Sequence, residues 1–576
     1  MNEIQPYLDD IEKVLLQFGF AFKLIVSREK TTPTITYFKE YDTKLGKFSV
    51  YILKDSLTLL HPPVVVVHRC PQALEKSRLP HLLSDNTLCI FDKQTHLLDP
   101  LDYKAFYAAI AQKIDSIITL WESASVLEEF QNEFAIYWGF SLPCYLVSAI
   151  HSPQLKLYKY NHIDLENNII DEYVISDGGA SANQWKEKRN AVSNVDFISN
   201  VVTITFSKPM QVDYDRARPP KSMGELISWL RWSDESVFTA FLQQLSNNSN
   251  SSKYTFLFCF QENVVGVHFR LSHSARTVVK PRATIKKSGR KKQQHKVDVL
   301  SRVGSTSCFE LFTPEIATQS FICNRNNKDT EQILTNKKVA LIGCGTVGSH
   351  TAMGLVQAGA GSGTGNLVIY DFDTLSTGNL GRHVLGTVYL RENKAVAMKN
   401  HILKQGMSAN ISTEKIFHLN NVDDDWDYII DTTGERPFSL LLAKKFRCSK
   451  QKKSLDGILI HGWVAGFGYA ARALRDTGDG ACYACQYVYK QGSLPQPRYP
   501  VFPNNKEPKL PFKRSCWANH LPFGTEVSMC SASMIIQLLD KSRTKENYLQ
   551  RSFSNECISL KDVTLSKRNS CPSCSH

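Results

Sequence analysis

The sequence predicts a multidomain chain that joins α+β and α/β architecture. An α+β domain is expected over residues 1–150, a mixed middle domain over 151–330, and a Rossmann-like, doubly wound α/β domain over 331–576. Three observations predict it. The length of 576 residues exceeds what one core fills. Strand-like runs lie between two amphipathic helical stretches at the start of the chain, and strand and helix patterns alternate from about residue 335 onward.

The opening helix is read from Ile4, Leu8, Ile11, Val14 and Leu15, which fall on one face. The runs FAFKLIVS, TITYFKEY, KFSVYILK and PPVVVVHR read as a meander, and YKAFYAAIAQKIDSIITLWE as a second helix. In the middle segment, VVTITFSKPMQV and KYTFLFCFQENVVGVHFRLS read as strands and SMGELISWLRWSDESVFTAFLQQL as helical, with a polar loop at SNNSNSSK. No internal repeat is present, and the middle segment carries no evident catalytic constellation. From about residue 335, KVALIGC, NLVIYDFD and WDYIIDTT alternate with helical stretches such as NKAVAMKNHILKQ, the pattern of a parallel sheet.

Hydrophobic residues make up 42% and charged residues 21% of the chain, the composition of a soluble globular protein. No apolar run approaches the roughly 20 residues that span a bilayer. The acidic, amphipathic N-terminus is unlike a signal peptide, so a cytoplasmic protein is expected. The net charge of +13 is partly local: Lys280 to Lys296 carry eight Lys/Arg and no acid. That segment reads first as a solvated basic loop and second as a dock for an acidic partner. Nucleic acid ranks last, because no helix-turn-helix or zinc-finger spacing accompanies the charge.

The stretch NKKVALIGCGTVGSHTAMGL places Gly343, Gly345 and Gly348 at G-x-G-x-x-G spacing between a strand and a helix, which brings backbone N–H groups to a phosphate. Asp371 ends the next strand and Asp373 follows it. Asn379, Arg382 and Lys394 come next on the same sheet edge, and Asp431 ends the strand WDYIID. A hydride-transfer site needs a flat apolar slot for nicotinamide. Cations and an amide beside phosphates, with carboxylates for ribose and Mg²⁺, suit attack on an α-phosphate instead.

This ordered set resembles the adenylation domain of E1 ubiquitin-activating enzymes and their bacterial ThiF/MoeB relatives, over about residues 335–576. The resemblance implies that Asp371 holds the ATP ribose, that Asn379, Arg382 and Lys394 hold its phosphates, and that Asp431 holds Mg²⁺. Many relatives have Arg-Gln where this chain has Arg382-His383, a departure that leaves the arginine in place. The bland alternative is a generic dinucleotide-binding domain with Asp373 and Arg382 on its surface. Family enzymes often borrow an N-terminal arginine for the γ-phosphate; Arg325 is a candidate, and equally a solvated loop residue.

The fifteen cysteines, without a secretory signal, read as thiols, metal ligands or nucleophiles. Cys482, Cys485, Cys571 and Cys574 form two CxxC turns, the donor set of a closed tetrahedral structural Zn²⁺ site that pins the C-terminal tail. An acyl adenylate is open to a thiolate. Residues 490–525, rich in Pro and Lys, read as a long crossing loop, with Cys516 flanked by Lys513, Arg514 and His520. In E1-like proteins the catalytic cysteine likewise lies between the zinc pairs, before a final helix, here VSMCSASMIIQLLD. Cys530, within that helix, is the rival, read as packed, and Cys344 as a small space-filling residue.

The N-terminal order of helix, meander and loop resembles an E2 ubiquitin-conjugating enzyme. In LPHLLSDNTLCIFD, Pro80 and His81 precede Cys89 by nine and eight residues, as Pro and Asn precede the active cysteine of that family. His81 replaces the asparagine, which leaves open the group that stabilises the oxyanion; His81 is a candidate. Asn86 replaces a glycine, a mild change because Asn tolerates a left-handed turn. In isolation Cys89 would read as a buried strand cysteine. His68 and His96 read as ordinary polar surface.

Together the two ends resemble the bacterial E1–E2 fusion proteins of CBASS antiphage operons. That resemblance implies a relay: a protein C-terminus is adenylated, passes to Cys516, then to Cys89, and ends as an amide on a target amine. The carried protein is then a cGAS-like nucleotidyltransferase, and the enzyme a homodimer using ATP, Mg²⁺ and structural Zn²⁺. The rivals are a sulfur-carrier adenylyltransferase, an NAD-binding oxidoreductase and a non-catalytic nucleotide-binding scaffold.

Overall fold

The computed structural model describes residues 4–574 except 26–33, 60, 70–78, 84–85, 91–98, 124, 127, 130–133, 136–137, 140–141, 165, 190, 192, 208–218, 261–262, 281–288, 325–333, 406–408, 454–455, 491–493, 504–522, 541 and 543. The chain divides into two compact units: Met1–Lys186 with Asn190–Ile316, and Glu187–Arg189 with Ala317–His576.

The first unit contains two sheets. Strands β1 (Ala21–Ile25), β2 (Thr34–Thr43), β3 (Gly46–Leu53) and β4 (Val65–Arg69) form an antiparallel meander in that order. Helices Leu8–Gln17 and Tyr103–Trp121 accompany it. The first helix forms because Leu8, Ile11, Val14 and Leu15 make one apolar stripe, and the second starts where the Asp102 carboxylate accepts the Ala105 N–H at 3.1 Å. Ile11, Leu15, Val50, Ile52, Ile114 and Trp121 meet in one buried core. Asp115 ties helix to sheet, accepting from Tyr41 Oη at 2.7 Å and Lys39 Nζ at 2.6 Å.

The second sheet has eight strands: β5 (Cys144–Leu146), β6 (Lys156–Ile163), β7 (Ile169–Ser176), β8 (Asp196–Thr205), β9 (Lys253–Phe260), β10 (Asn263–Leu271), β11 (Thr306–Phe312) and β12 (Glu315–Ile316), ordered β11-β10-β9-β8-β6-β7-β5-β12. β12 starts only three residues after β11 ends, yet it pairs at the opposite edge, on β5. Three residues reach at most about 10 Å, so the sheet curls on itself like a barrel. One set of alternating residues, including Leu142, Leu157, Ile175, Val201, Leu257 and Phe312, fills the inside. The other set, including Phe256, Phe258, Val267 and Phe269, packs against Leu226, Leu230 and Phe241 of the helices Met223–Ser233 and Glu235–Asn247.

Three expectations change here. β5 and the buried Phe134 and Trp138 already belong to this second sheet, so a boundary at 150 falls too late; short apolar segments do not announce which core they join. The stretch expected to be helical over 222–245 is two helices, broken at Asp234, whose carboxylate accepts Ser236 N at 2.8 Å and caps the second. The basic segment is no simple loop: Gly289–Leu300 is helical, and Lys296 Nζ donates to Ser246 Oγ at 2.8 Å.

The second unit is built on a seven-stranded sheet. Its strands are β13 (Lys338–Ile342), β14 (Asn366–Tyr370), β15 (Ile411–Glu414), β16 (Tyr428–Asp431), β17 (Ile458–Ala465), β18 (Ala470–Asp476) and, after the ribbon β19 (Tyr487–Val488) and β20 (Gln496–Pro497), β21 (Tyr548–Ser552). The order is β15-β14-β13-β16-β17-β18-β21. β15 through β17 run parallel; β18 and β21 add antiparallel strands, so the expected parallel sheet is a mixed one. Helices Thr346–Gln357, Lys394–Lys404, Arg436–Lys453 and Thr525–Leu539 cover it, and apolar clusters are buried on both faces. The chain leaves β13 for β14 on one side and returns to β16 on the other. The C-terminal ends of these three strands therefore bracket a crevice at the topological switch point.

Candidate active site

The three glycines do three different things at the end of β13. Gly343 takes φ +87°, which only glycine adopts cheaply, and its N–H donates to the Tyr370 carbonyl at 2.8 Å. Gly348 lies so close to the preceding turn that a Cβ would collide with the Gly343 carbonyl. Gly345 caps the Thr346 helix, and a Cβ there would meet nothing within 4 Å, so the backbone faces open space. Sharp turn, close packing and open approach are the requirements of a phosphate-binding loop.

A cavity of about 460 Å³ opens in front of this loop, within the usual range for a small-molecule site. Gly343, Gly345, Asp371, Asp373 and Lys394 line it, so five of the expected nucleotide residues share one space. Asp371 accepts the Cys344 N–H on one oxygen at 2.6 Å and the Asp373 N–H on the other at 2.7 Å. Burial raises its carboxyl above the ordinary value, against the pull of those two N–H groups. Lys394 is only 7% exposed; its Nζ sits 3.0 Å from the half-exposed Asp373 carboxylate. Tyr370, Phe417 and Phe438 supply an apolar wall.

Asn379 and Arg382 occupy the loop beside the cavity and are not among its lining residues. Asn379 Oδ1 accepts from Ser376 N and Oγ, both at 3.0 Å, and so closes its own turn. The Arg382 guanidinium lies 4.0 Å from the centre of the Phe523 ring. Their neighbour His383, 7% exposed, is a brace that sequence reading missed. Its Nδ1 accepts the Leu385 N–H at 3.1 Å, so its Nε2 carries the proton and donates to the Cys344 carbonyl at 2.8 Å. His383 thus ties the arginine loop to the glycine loop, and burial pushes its pKa down to about 4.

Asp431 is held by the protein's own donors in this structure. It ends β16 as anticipated, but it is 2% exposed and does not line the cavity. Four donors surround its carboxylate: Thr433 N at 3.0 Å, Thr433 Oγ1 at 2.7 Å, Ser439 Oγ at 2.5 Å and His461 Nδ1 at 2.8 Å. Burial would raise its pKa, but His461, Ser439 and Thr433 outweigh that and leave it below the ordinary value. The carboxylate organises the Thr432–Ser439 turn, and Thr432, Thr433 and Glu435 from that turn line the cavity. The donors come from residues up to thirty positions away, which no local pattern reveals.

The four expected zinc cysteines converge. Cys482, Cys485, Cys571 and Cys574 are buried, with Sγ–Sγ distances of 3.4–3.9 Å among the measured pairs. Zn–S bonds of about 2.3 Å place tetrahedral sulfurs roughly 3.8 Å apart, so this donor set fits zinc without rearrangement. The turns match: Cys485 N donates to Cys482 O at 2.9 Å and Cys574 N to Cys571 O at 3.1 Å. Arg447 secures the approach through Asp476 and the Gly478 and Gly480 carbonyls.

Cys89 lies in the first unit and is exposed. Thr87 bridges Val66 of β4, the Cys89 N–H donates to the His81 carbonyl at 2.8 Å, and Trp121 Nε1 anchors Pro80 O at 2.9 Å. His81 and Asn86 both take left-handed backbone, φ 63° and 65°. His81 Nε2 is 3.5 Å from a Glu129 carboxylate oxygen. His68 is exposed, as expected. Cys344 is fully buried and Cys530 half-buried, and burial pushes both thiols up. Cys516 with Lys513, Arg514 and His520, and also Arg325 and His96, lie outside the described residues. Among the described residues no helix is long and apolar enough to cross a membrane.

A glycine loop at the switch point with a lysine–carboxylate pair lining its cavity, in a chain matched along its length by ubiquitin transferase-like relatives, marks a bacterial E1-like protein. Residues 319–573 match the ThiF family. Over 98% of its length the chain is 23% identical to an Escherichia coli (strain TW11681) protein, "ATP-dependent ubiquitin transferase-like protein Cap2", of which it covers 98%. A Vibrio cholerae serotype O1 protein of the same name is 24% identical over 98% of this chain and 99% of its own. The E. coli K12 sulfur carrier protein ThiS adenylyltransferase is 23% identical over 43% of this chain and 89% of its own.

Proposed function

We propose that this enzyme adenylates the C-terminus of a carried protein and transfers it, through thioesters on Cys516 and Cys89, to an amine. The observation that carries the reading is a nucleotide-sized cavity with Lys394, Asp371 and Asp373 in the ThiF-family part of a chain that also presents an exposed Cys89 on a fixed turn. Relatives named as ubiquitin transferase-like along the whole length support both halves together.

In this reading the base sits against Tyr370, Phe417 and Phe438, the ribose hydroxyls bond Asp371, and the phosphates run over Gly345 toward Lys394 and Arg382. Asn379 joins them on the phosphates through Nδ2, its Oδ1 being fixed by Ser376. The substrate carboxylate attacks the α-phosphorus; the bond to the β-phosphate oxygen breaks and pyrophosphate leaves. Asp431 would hold Mg²⁺, with Asp373 and Glu435 as further carboxylates at the cavity, and the ion would supply charge neutralisation for the departing oxygens. Lys394 then exchanges its Asp373 partner for phosphate, which frees that carboxylate. The Cys516 thiolate attacks the acyl carbon and expels AMP; the Cys89 thiolate displaces Cys516; an amine displaces Cys89 and leaves an amide, its proton going to solvent. His81 is the polar group nearest in sequence order to support the oxyanion at Cys89. Zn²⁺ on the four cysteines is structural. The carried protein is a cGAS-like nucleotidyltransferase of a CBASS operon, and the working form is a cytoplasmic homodimer. The domains act as an E2-like part ending before Phe134, a middle part from there to residue 330, and an E1-like part (331–576).

The test is incubation with ATP·Mg²⁺ and a candidate carried protein with a free C-terminus, resolved on reducing and non-reducing gels. A reductant-sensitive adduct is expected in wild type, absent in Cys516→Ala, and stalled before amide formation in Cys89→Ala. The second reading, a sulfur-carrier adenylyltransferase, is favoured by the match to the ThiS enzyme over 89% of that protein. It predicts ATP–pyrophosphate exchange with product yield untouched by Cys89→Ala.

A further inference from the structure

The curled sheet of the first unit has an inner surface of two kinds. Leu157, Ile175, Val201, Leu257 and Phe312 fill one end. At the other, the inward positions are polar: Ser199, Thr255, His268, Cys308 and Glu310. None of them takes part in the adenylation site. His268 faces Glu310 directly across β10 and β11, and Cys308, two residues along β11, projects from the same face.

We infer that His268, Cys308 and Glu310 form a second metal site, for a zinc-type divalent ion with its fourth position open. One ligand atom from each lies within 4.8 Å of the other two. Zinc bonds of about 2.0–2.3 Å put tetrahedral ligand atoms roughly 3.3–3.8 Å apart, so closure needs a shift of order 1 Å. The imidazole is prepared for it. His268 is 7% exposed, with Nδ1 held 2.8 Å from Thr255 Oγ1, which is itself 2.6 Å from Ser199 Oγ. A ring fixed at one nitrogen by a buried hydroxyl chain offers the other, Nε2, in a set orientation; this is the support that ligating histidines ordinarily have.

The donor chemistry selects the ion. Thiolate, imidazole and carboxylate together suit zinc rather than magnesium or calcium, and three protein ligands leave room for water or an exogenous group. Bound, the thiolate and carboxylate balance the two charges of the ion. Lys253 and Arg270 lie close enough to act on the His268 ring, so an anionic fourth ligand is favoured. A nucleophilic Cys308 is the weaker reading, because a half-buried thiol beside a carboxylate is a poor free thiolate.

The experiment is metal analysis of the full-length protein saturated with Zn²⁺ and gel-filtered, followed by Co²⁺ substitution. Two zinc ions per chain are expected in wild type, and one in Cys308→Ser and His268→Gln. The second Co²⁺ should show a one-thiolate charge-transfer band that Cys308→Ser lacks, apart from the stronger four-thiolate band of the C-terminal site. Glu310→Gln should weaken the second ion at least tenfold. Far-UV circular dichroism identifies any variant that fails to fold, and for those the wild-type spectrum decides alone. A single zinc per chain at saturation, or a second ion that survives in all three folded variants, overturns the site.

Discussion

His383 offers the sharpest test of how the nucleotide site is held. Replacing it with alanine removes an acceptor from the Leu385 N–H and a donor from the Cys344 carbonyl, both in a buried setting. Each stranded group costs about 1–3 kcal/mol, so His383→Ala should cost roughly 3 kcal/mol or more. For a unit of this size that lowers the melting midpoint by about 6–12 °C. Glutamine carries one donor and one acceptor, so His383→Gln should recover most of the loss. The assay is calorimetry of the full chain, reading the transition that ATP shifts upward, with ATP–pyrophosphate exchange measured in parallel. Because the brace links the Arg382 loop to the glycine loop, exchange should fall at least tenfold in the alanine variant and recover in the glutamine one.

The same residue sets a pH dependence with a definite sign. Its pKa falls from 6.5 in the unfolded chain to about 4 in the fold. Between those values the unfolded chain binds a proton that the folded chain refuses. The stabilisation is therefore complete above pH 6.5 and lost as the pH falls, at about 1.4 kcal/mol per unit and about 3 kcal/mol in all by pH 4. His268 is displaced likewise but lies in the other unit and is kept in both His383 variants. The informative quantity is thus the wild-type transition minus that of His383→Gln. If that difference stays flat from pH 8 to 4.5, or if the alanine variant melts and exchanges like wild type, the brace does not act as described.

Other positions carry shorter tests. Gly348→Ala should abolish exchange more than a hundredfold, because a Cβ meets the Gly343 carbonyl; Gly345→Ala, which meets nothing, should keep the fold and weaken ATP binding only. Chelation of the zinc, or Cys571→Ser, should free the C-terminal tail, read as loss of one zinc per chain and new proteolytic cleavage near residue 570. Asn86→Gly should leave stability within about 0.5 kcal/mol, whereas Asn86→Val should cost about 1–2 kcal/mol and slow thioester formation at Cys89, since φ there is 65°.

What was legible in the sequence is what local chemistry decides. The glycine spacing forces one turn, two CxxC repeats give matched sulfur pairs, and apolar runs mark strands such as β2, β3, β9, β10, β13, β14 and β16, whereas β5 to β7, β15, β17, β18 and β21 were not read. What was not legible is decided by partners far along the chain. Asp431 looked like a ligand because it ends a strand, but Thr433, Ser439 and His461 had to fold around it before its donors could be counted. Asn379 carried the amide expected for phosphate, and what no local pattern showed is that its oxygen accepts from Ser376 three residues back and so fixes the amide whose Nδ2 is the donor a phosphate would need. The cluster of His268, Cys308 and Glu310 left no motif at all, because a pairing between two strands, with a helix between them in sequence, creates it.

The places where the chain departs from the patterns it resembles are judged best by the backbone. At His383, where the pattern the sequence resembles has glutamine, the imidazole does the work an amide can do, one acceptor and one donor in opposite directions. Asn86 stands for glycine and takes the left-handed turn that glycine would take, so the substitution preserves geometry. His81 is the instructive exception. It too adopts a left-handed backbone, and its carbonyl is fixed by the Cys89 N–H, so the main chain at this position positions the cysteine whatever the side chain is. A role for the imidazole in stabilising charge must therefore be argued from its reach toward the sulfur and not from its place in the motif. His81→Asn, which keeps a left-handed backbone, separates the two.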